Sequence, residues 1–249
     1  MPNFSLLCPS RRPHQVKKLL ASLNATIGNF DTVEILFGID NDDIQTPQSV
    51  QDCIETYPNL NIKIHRRNKS IHINKDYYNW LSTFAKGKFH WAIGDDLIFK
   101  INNWDGRINE NLEGYLNFRK DRVVCAAIKD NTPKPSPKLP PFPCFPLVSK
   151  EAIKAIGFLL HPNIPTWGAD YAVYKLYMAI ERLHVIRDET YINHISYHTG
   201  QAPEDKITKA VGRTFNSLKM RPEHNVDRIV AEEVPEQAKK LREYIQRNQ

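Results

Sequence analysis

From Phe4 to Asp96 the chain alternates four times between short apolar runs and amphipathic stretches, and this alternation constrains the fold more than any other feature. Phe4-Ser5-Leu6-Leu7-Cys8 reads as a short strand. Pro13 then stands at the first position of a helix whose Val16, Leu19, Leu20, Leu23 and Ile27 recur at helical spacing. Val33 to Ile39 reads as a second strand, Pro47 to Tyr57 as a helix and Asn61 to His65 as a third strand. Ile73, Tyr77, Leu81 and Phe84 mark a further helix, and the run from Lys88 to Phe99 reads as a buried strand carrying Asp95 and Asp96. Strands that alternate with helices predict an α/β sheet with helices on its faces. Ligands of open sheets of this kind bind outside the carboxyl ends of the strands. Three polar clusters fall at such ends: Pro9-Ser10-Arg11-Arg12, Asp40-Asn41-Asp42-Asp43 and Asp95-Asp96.

The second half is less regular. Thr132 to Pro146 holds Pro133, Pro135, Pro137, Pro140, Pro141, Pro143 and Pro146, which predicts an extended connection with little internal hydrogen bonding, either a linker or a binding loop. Ser149 to Ile156 is expected to be a helix stopped by Gly157. From Gly168, the residues Ala172, Val173, Leu176, Tyr177 and Ile180 form a helical stripe with Asp170 in its first turn. Glu189 to Thr199 alternates loosely, so His194, Ser196 and His198 share one face if it is a strand. Beyond Pro203 the chain turns charged, with a terminal helix expected over Pro235 to Arg247.

A chain of 249 residues can hold one large domain, here with a C-terminal appendage. The apolar stretch at the N-terminus is too short for a signal peptide and no later segment reaches the length of a membrane span, so the expectation is a cytoplasmic protein. Cys8, Cys53, Cys125 and Cys144 lack metal-site or redox-motif spacing and are expected to be reduced thiols. The net charge of +6 and a pI near 9.0 favour a phosphate-bearing partner: a nucleotide, a nucleic acid or an anionic surface.

Adjacent carboxylates at a strand end suit a divalent cation, although an Asp-rich turn has the same composition. Side chains alternate along a strand, which suggests one metal ligand and one hydrogen-bonding partner. Arg11 and Arg12 are either a solvated basic loop or phosphate contacts. Asp170 is placed to favour a helix N-terminus, a role compatible with chemistry. Trp167 is either core or a stacking platform.

The order of these motifs resembles the GT-A fold glycosyltransferases, especially family 2-like enzymes, from Phe4 to about Asp205. The resemblance rests on Leu7-Cys8-Pro9-Ser10-Arg11-Arg12-Pro13, Ile39-Asp40-Asn41-Asp42-Asp43, Ile93-Gly94-Asp95-Asp96 and Asn103-Trp104-Asp105. It continues through Phe145-Pro146-Leu147-Val148-Ser149, Gly157, Trp167-Gly168-Ala169-Asp170 and the late histidines. It implies a Rossmann-like, mostly parallel sheet flanked by helices. The glycosyltransferase domain would span 1–202, with a nucleotide-sugar half at 1–105 and an acceptor half at 106–202, ahead of a helical extension at 203–249.

The resemblance further implies that Pro9, Ser10 and Arg11 lie along the nucleotide and that Asp40 accepts hydrogen bonds from its base. Asn74 reaches the donor or is simply a polar residue at a helix start. The family's D-x-D pattern is here Gly94-Asp95-Asp96, which assigns Asp96 to Mn²⁺ or Mg²⁺ and Asp95 to the donor ribose or sugar. His194 or His198 completes the metal site, with His198 favoured because Thr199-Gly200 follows it. Asp170 matches the catalytic base of inverting members.

The implied reaction is metal-dependent inverting transfer from a nucleotide-diphosphate sugar, UDP-linked, to an acceptor hydroxyl on a glycan, lipid-linked sugar, protein or modified nucleic acid. The alternatives are a sugar nucleotidyltransferase, which the glycine-free first loop disfavours, and a non-catalytic basic nucleic-acid-binding protein, which does not account for acidic strand ends.

Overall fold

The computed structural model describes residues 1–132 and 142–249, apart from the side chain of His198. In chain order the elements begin β1 (Phe4–Pro9), α1 (Pro13–Thr26), β2 (Val33–Asp40), α2 (Gln45–Thr56) and β3 (Asn61–Arg67). A π-helical turn (Asn74–Asn79) then runs into the single turn α3 (Trp80–Ser82). There follow β4 (Phe89–Ala92), β5 (Leu97–Phe99), α4 (Trp104–Leu116), β6 (Cys125–Ile128), β7 (Leu147–Ser149), α5 (Lys150–Ile156) and α6 (Ala169–Ala179). The chain closes with β8 (Leu183–Ile186), β9 (Ile192–His194), α7 (Lys206–Leu218) and α8 (Val226–Arg247).

Seven strands form one sheet in the order β3-β2-β1-β4-β7-β6-β8. β3, β2, β1 and β4 are parallel, β7 runs antiparallel to both neighbours, and β8 is parallel to β6. Alternation along β1 sends Leu6 and Leu7 to opposite faces. Leu6 joins a core with Val16, Leu19 and Leu23 of α1 and Ile108 and Leu112 of α4. Leu7 joins the other core, built with Val173 and Leu176 of α6 and Ile229, Val234, Ala238, Leu241 and Ile245 of α8. The last helix is therefore packed into the body of the protein.

Four expectations change. The run from Lys88 to Phe99 is two strands, because the chain breaks at Gly94-Asp95-Asp96 and β5 leaves the main sheet to pair with β9. The helix after β3 begins as a π-helical turn, with Phe84 beyond its end and exposed. β9 stops at His194, and residues 197–199 form a 3₁₀ turn, so the late histidines do not share a strand face. α8 starts ahead of Pro235, at Val226, because Asn225 accepts a hydrogen bond from the Arg228 amide (2.9 Å) and caps it there; Pro235 lies in the helix interior. In the proline-rich segment, Pro133, Pro135, Pro137, Pro140 and Pro141 lie outside the described residues.

Asp105 accepts hydrogen bonds from the Gly28 amide (2.6 Å), the Asn29 amide (3.1 Å) and the Thr32 hydroxyl (2.8 Å), so the Asn103-Trp104-Asp105 motif ties α4 to the turn between α1 and β2. Glu34 plays a similar part at the amino end of the sheet. It is fully buried in β2 and accepts from Ser5 of β1 (2.6 Å), Lys63 of β3 (2.7 Å) and the Lys86 amide ahead of β4 (2.5 Å). Burial opposes its ionisation, but the Lys63 and Ser5 hydrogen bonds outweigh burial and hold its carboxyl below the usual range.

A folded-state pKa lowered in this way stabilises the protein above the ordinary glutamate range, and the contribution disappears as pH falls through the folded value. Glu34→Ala is expected to cost about 3 kcal/mol at neutral pH, since it leaves buried partners unpaired. The difference from wild type should narrow in acid. Urea denaturation at two pH values checks both outcomes.

Candidate active site

The carboxyl ends of β1, β2 and β4 bring the first-loop and acidic residues to one edge. In the loop after β1, Ser10 donates to Asp95 Oδ2 (2.5 Å). Arg12 donates through Nε to the same oxygen (3.1 Å) and pairs through Nη2 with Asp95 Oδ1. The same guanidinium reaches Asp96 Oδ2 (3.3 Å) and, through Nη1, Asp205 Oδ2 (3.2 Å). Arg12, for which the sequence left a solvated loop and a phosphate contact open, thus sits between three carboxylates. Its position immediately before Pro13 was the available signal: the residue ahead of a helix-starting proline is held extended and projects from the strand end.

Asp95 is buried and faces Ser10 and Arg12, while the more accessible Asp96 turns the other way, its Oδ1 lying 3.5 Å from His194 Nε2. Gly94 permits this arrangement: a Cβ there would stand 2.5 Å from Asp96 Oδ1. The two carboxyls have opposite tendencies. Burial, aided by the neighbouring Asp96 charge, raises Asp95 despite Arg12. Burial also works against ionisation of Asp96, but the hydrogen bond from His194 and the Arg12 charge hold it below the usual carboxylate range.

His194 is itself held from several sides. Its backbone amide donates to Asn131 Oδ1 (2.5 Å), its carbonyl accepts from the Thr199 hydroxyl (2.7 Å), and its Nδ1 lies 3.3 Å from the Thr132 hydroxyl. The edge of Phe145 packs against the imidazole at 5.0 Å between centroids. His198 lies in the 3₁₀ turn, its side chain outside the described residues.

An imidazole nitrogen and a carboxylate oxygen converging at 3.5 Å fit a shared divalent cation. Two ligand atoms about 2.1 Å from one ion at near-octahedral or tetrahedral angles stand about 3.0–3.4 Å apart. Among the described residues no third histidine, cysteine or carboxylate joins them, so remaining coordination would come from a ligand or water.

At the end of β2, Asp40 is buried with both carboxylate oxygens engaged, Oδ1 by the Tyr77 hydroxyl and Oδ2 by Arg11 Nη1 (2.5 Å). Arg66 fixes the loop that follows by donating to the carbonyls of Asp40, Asn41 and Asp43 (2.8–3.3 Å). Arg11, which also pairs with Asp42 (2.9 Å), is the more exposed partner and the one free to yield Asp40 to a ligand. Pro9 lies at the last register position of β1, opposite Gly38.

Asn74 opens the π-helical turn with its amide turned inward, donating to the carbonyls of Ile164 (2.7 Å) and Thr166 (2.6 Å). It thereby anchors the loop that leads to Asp170. In this structure Asn74 contacts that loop, and neither Asp40 nor the acidic pair.

Gly168 takes φ 92° ahead of α6, and Asp170 follows in the first turn, accepting from the Tyr171 amide (2.9 Å). Burial outweighs the backbone hydrogen bonds and pushes its pKa up to about 6. Burial, and then the charges of Asp130 and Asp170, raise the Cys144 thiol, which hydrogen-bonds with Thr132; the Thr132 hydroxyl in turn lies 3.3 Å from His194 Nδ1.

No family model and no curated protein sequence matches the chain. Solved structures do. Residues 1–349 of TarS from S. aureus, in complex with UDP, superpose with a TM-score of 0.60 at 15% identity, covering 89% of this chain and 74% of that one. The same protein with UDP-GlcNAc gives 0.59 at 17% identity, over 93% and 71%. The mannosyltransferase PcManGT from Pyrobaculum calidifontis, in complex with GDP-Man and Mn²⁺, gives 0.59 at 13% identity, over 98% and 74%. The chain has the GT-A glycosyltransferase fold. That fold accounts for the mostly parallel α/β sheet and for the polar strand ends gathered at one edge.

The Arg12 contacts yield a test. Arg12→Met should lower stability by about 3 kcal/mol, because it leaves buried Asp95 and its half-buried neighbour Asp96 without the arginine's counter-charge. Adding Asp95→Asn should recover most of that loss, giving a coupling well above experimental error in a double-mutant cycle followed by urea denaturation.

Proposed function

We propose that the chain is a metal-dependent, inverting glycosyltransferase that moves a sugar from a UDP-linked donor to an acceptor hydroxyl. The observation that carries this reading is the meeting of Asp96 and His194 beside the Ser10–Asp95–Arg12 network. Structures of the same fold with UDP, UDP-GlcNAc and GDP-Man with Mn²⁺ support a nucleotide-sugar donor and a divalent cation.

The donor base would take Asp40 Oδ2 in place of Arg11, and the released Arg11 guanidinium would turn to the diphosphate. Ser10 and Pro9 would line the nucleotide, and Asp95, held by Ser10 and Arg12, would face the ribose or sugar. Asp96 and His194 would hold Mn²⁺ or Mg²⁺, which supplies neutralisation of the departing diphosphate. Asp170 would accept the proton of the acceptor hydroxyl as that oxygen attacks the anomeric carbon from the face opposite the diphosphate. A pKa near 6 suits this role, because the group is ionised at neutral pH yet basic enough to take a proton. We place the reaction in the cytoplasm, where the four free thiols stay reduced. No helix among the described residues is long and apolar enough to cross a membrane.

Titration with a panel of nucleotide-diphosphate sugars, with and without Mn²⁺, tests the reading through thermal stability and slow donor hydrolysis. No metal-dependent response to any donor would overturn it. Asp96→Asn is expected to lose metal-dependent donor binding, whereas Asp170→Asn keeps donor binding and loses transfer. Equal loss of donor binding in both would refute this division.

The pH profile adds an independent check. Transfer should rise as pH passes about 6 and Asp170 ionises. Stability should move the other way. A carboxyl with a raised folded pKa contributes stability in its protonated state, and this is lost as pH climbs through the folded value. Asp170→Asn should therefore match wild type in acid and melt at a higher temperature at neutral pH, as measured by calorimetry.

A further inference from the structure

We infer that His72 and His224 form a second metal site, one for Zn²⁺ or a similar imidazole-seeking ion, separate from Asp96 and His194. The two rings lie 5.4 Å apart between centroids, with their planes at 57°, a tilt far from face-to-face stacking. The spacing fits a shared ion. With metal–nitrogen bonds of about 2.0–2.1 Å, each ring centroid stands about 3.2 Å from the ion, and a tetrahedral angle places the two centroids about 5.2 Å apart.

His224 is oriented as metal ligands are. Its Nδ1 lies 2.8 Å from the Asn163 carbonyl oxygen. A carbonyl only accepts, so Nδ1 carries the hydrogen, and Nε2 of the neutral ring keeps the lone pair that a metal takes. Donation of the other ring N–H to a backbone carbonyl is what fixes metal-bound histidines. Nitrogen ligands also select the ion: imidazole suits zinc, copper and nickel, whereas magnesium and manganese prefer oxygen.

Both backbones are held before any ion arrives. The His72 amide donates to the Ser70 hydroxyl (3.1 Å), and its carbonyl accepts from the Asp76 amide (2.8 Å). His224 closes the 3₁₀ turn Pro222–His224, its amide donating to the Arg221 carbonyl (3.0 Å). Both residues are partly exposed, so an ion can reach them. Among the described residues no third histidine, cysteine or carboxylate joins the pair, and water would complete the coordination. Two protein ligands make an exchangeable site, unlike the closed four-ligand sites that hold a fold together.

The ion would act as a clip. His72 stands two residues before Asn74, which donates to the carbonyls of Ile164 and Thr166, while His224 donates to that of Asn163. Bridging the two histidines would therefore join the loop ahead of the π-helical turn to the turn between α7 and α8, across the segment that leads to Asp170. Metal on His224 Nε2 also polarises the Nδ1 hydrogen and tightens its bond to Asn163. The site stands whether or not the chain transfers a sugar.

The test is calorimetric titration of the full chain with ZnCl₂, in excess Mg²⁺, for wild type, His72→Ala, His224→Ala and Asp96→Asn. Wild type and Asp96→Asn should bind zinc alike, and each histidine variant should bind it at least about tenfold more weakly. His72→Gln, which keeps a polar side chain at the surface, should lose affinity in the same way, and melting without zinc shows that each variant folds. In hydrogen exchange, zinc should protect residues 69–73 and 221–226 together in wild type and neither segment in the histidine variants. Equal affinity in wild type and the histidine variants would overturn the proposal, as would zinc binding lost in Asp96→Asn but kept in those variants. Protection confined to one segment would overturn the clip.

Discussion

Everything at the functional edge depends on one guanidinium placed among three carboxylates. Asp95 and Asp96 are neighbours in sequence and both are largely withdrawn from water. Adjacent carboxylates withdrawn from water oppose one another's ionisation, an opposition relieved by a nearby counter-charge. Arg12 supplies it, and by doing so joins three distant parts of the chain: the loop after β1, the break between β4 and β5, and the cap of α7. It engages Asp96 through Oδ2, leaving Oδ1 to His194. The arginine and the proposed cation thus address different oxygens of Asp96 and have no need to displace one another.

The second organising device is the π-helical turn ahead of β4. Within six residues it places Asn74 on the carbonyls of Ile164 and Thr166, the Tyr77 hydroxyl on Asp40 and the Tyr78 hydroxyl on the Ile93 carbonyl (3.0 Å). Asn79, its last residue, takes the amides of Leu159 and Leu160 at 2.9 Å. Strand ends β2 and β4 and the loop before Asp170 are thereby referred to one short segment. Tyr77 remains a donor throughout the ordinary pH range, since burial and then Asp40 push its phenol up to about 12.

Much of this was legible in the sequence because it follows from local periodicity. Apolar stripes and β-branched runs located β1, α1, β2, α2 and β3, and strand ends identified the three polar clusters that meet. What the sequence hid was long-range. Nothing local says that the chain after Asp96 changes sheets, because Leu97, Ile98 and Phe99 continue the same apolar run. β6 and β8 are four residues each, too short for an alternation to stand out. The partners of Arg12 lie 83, 84 and 193 residues away, and no spacing rule relates them. Asp105 looked like part of a site motif and is a structural tie, a distinction that only its three backbone and hydroxyl partners reveal.

The acidic residues divide by environment, and the division makes chemical sense. Asp96 meets a histidine and an arginine, which hold its carboxyl below the usual range, as the proposed cation ligand requires. Asp170 meets only backbone amides and burial, so its proton affinity rises into the range where exchange with a hydroxyl is useful. Asp40 meets a tyrosine and an arginine that already satisfy both oxygens, which suits a carboxylate meant to exchange one hydrogen-bond donor for another. Three residues of one type suit the three proposed roles because the fold gives each a different set of neighbours. Arg12 and Arg11, adjacent in sequence, are divided in the same way. Arg12 has three carboxylate partners and is mostly buried, so it is structural. Arg11, more exposed and paired at the rim, is the one proposed to turn to the diphosphate.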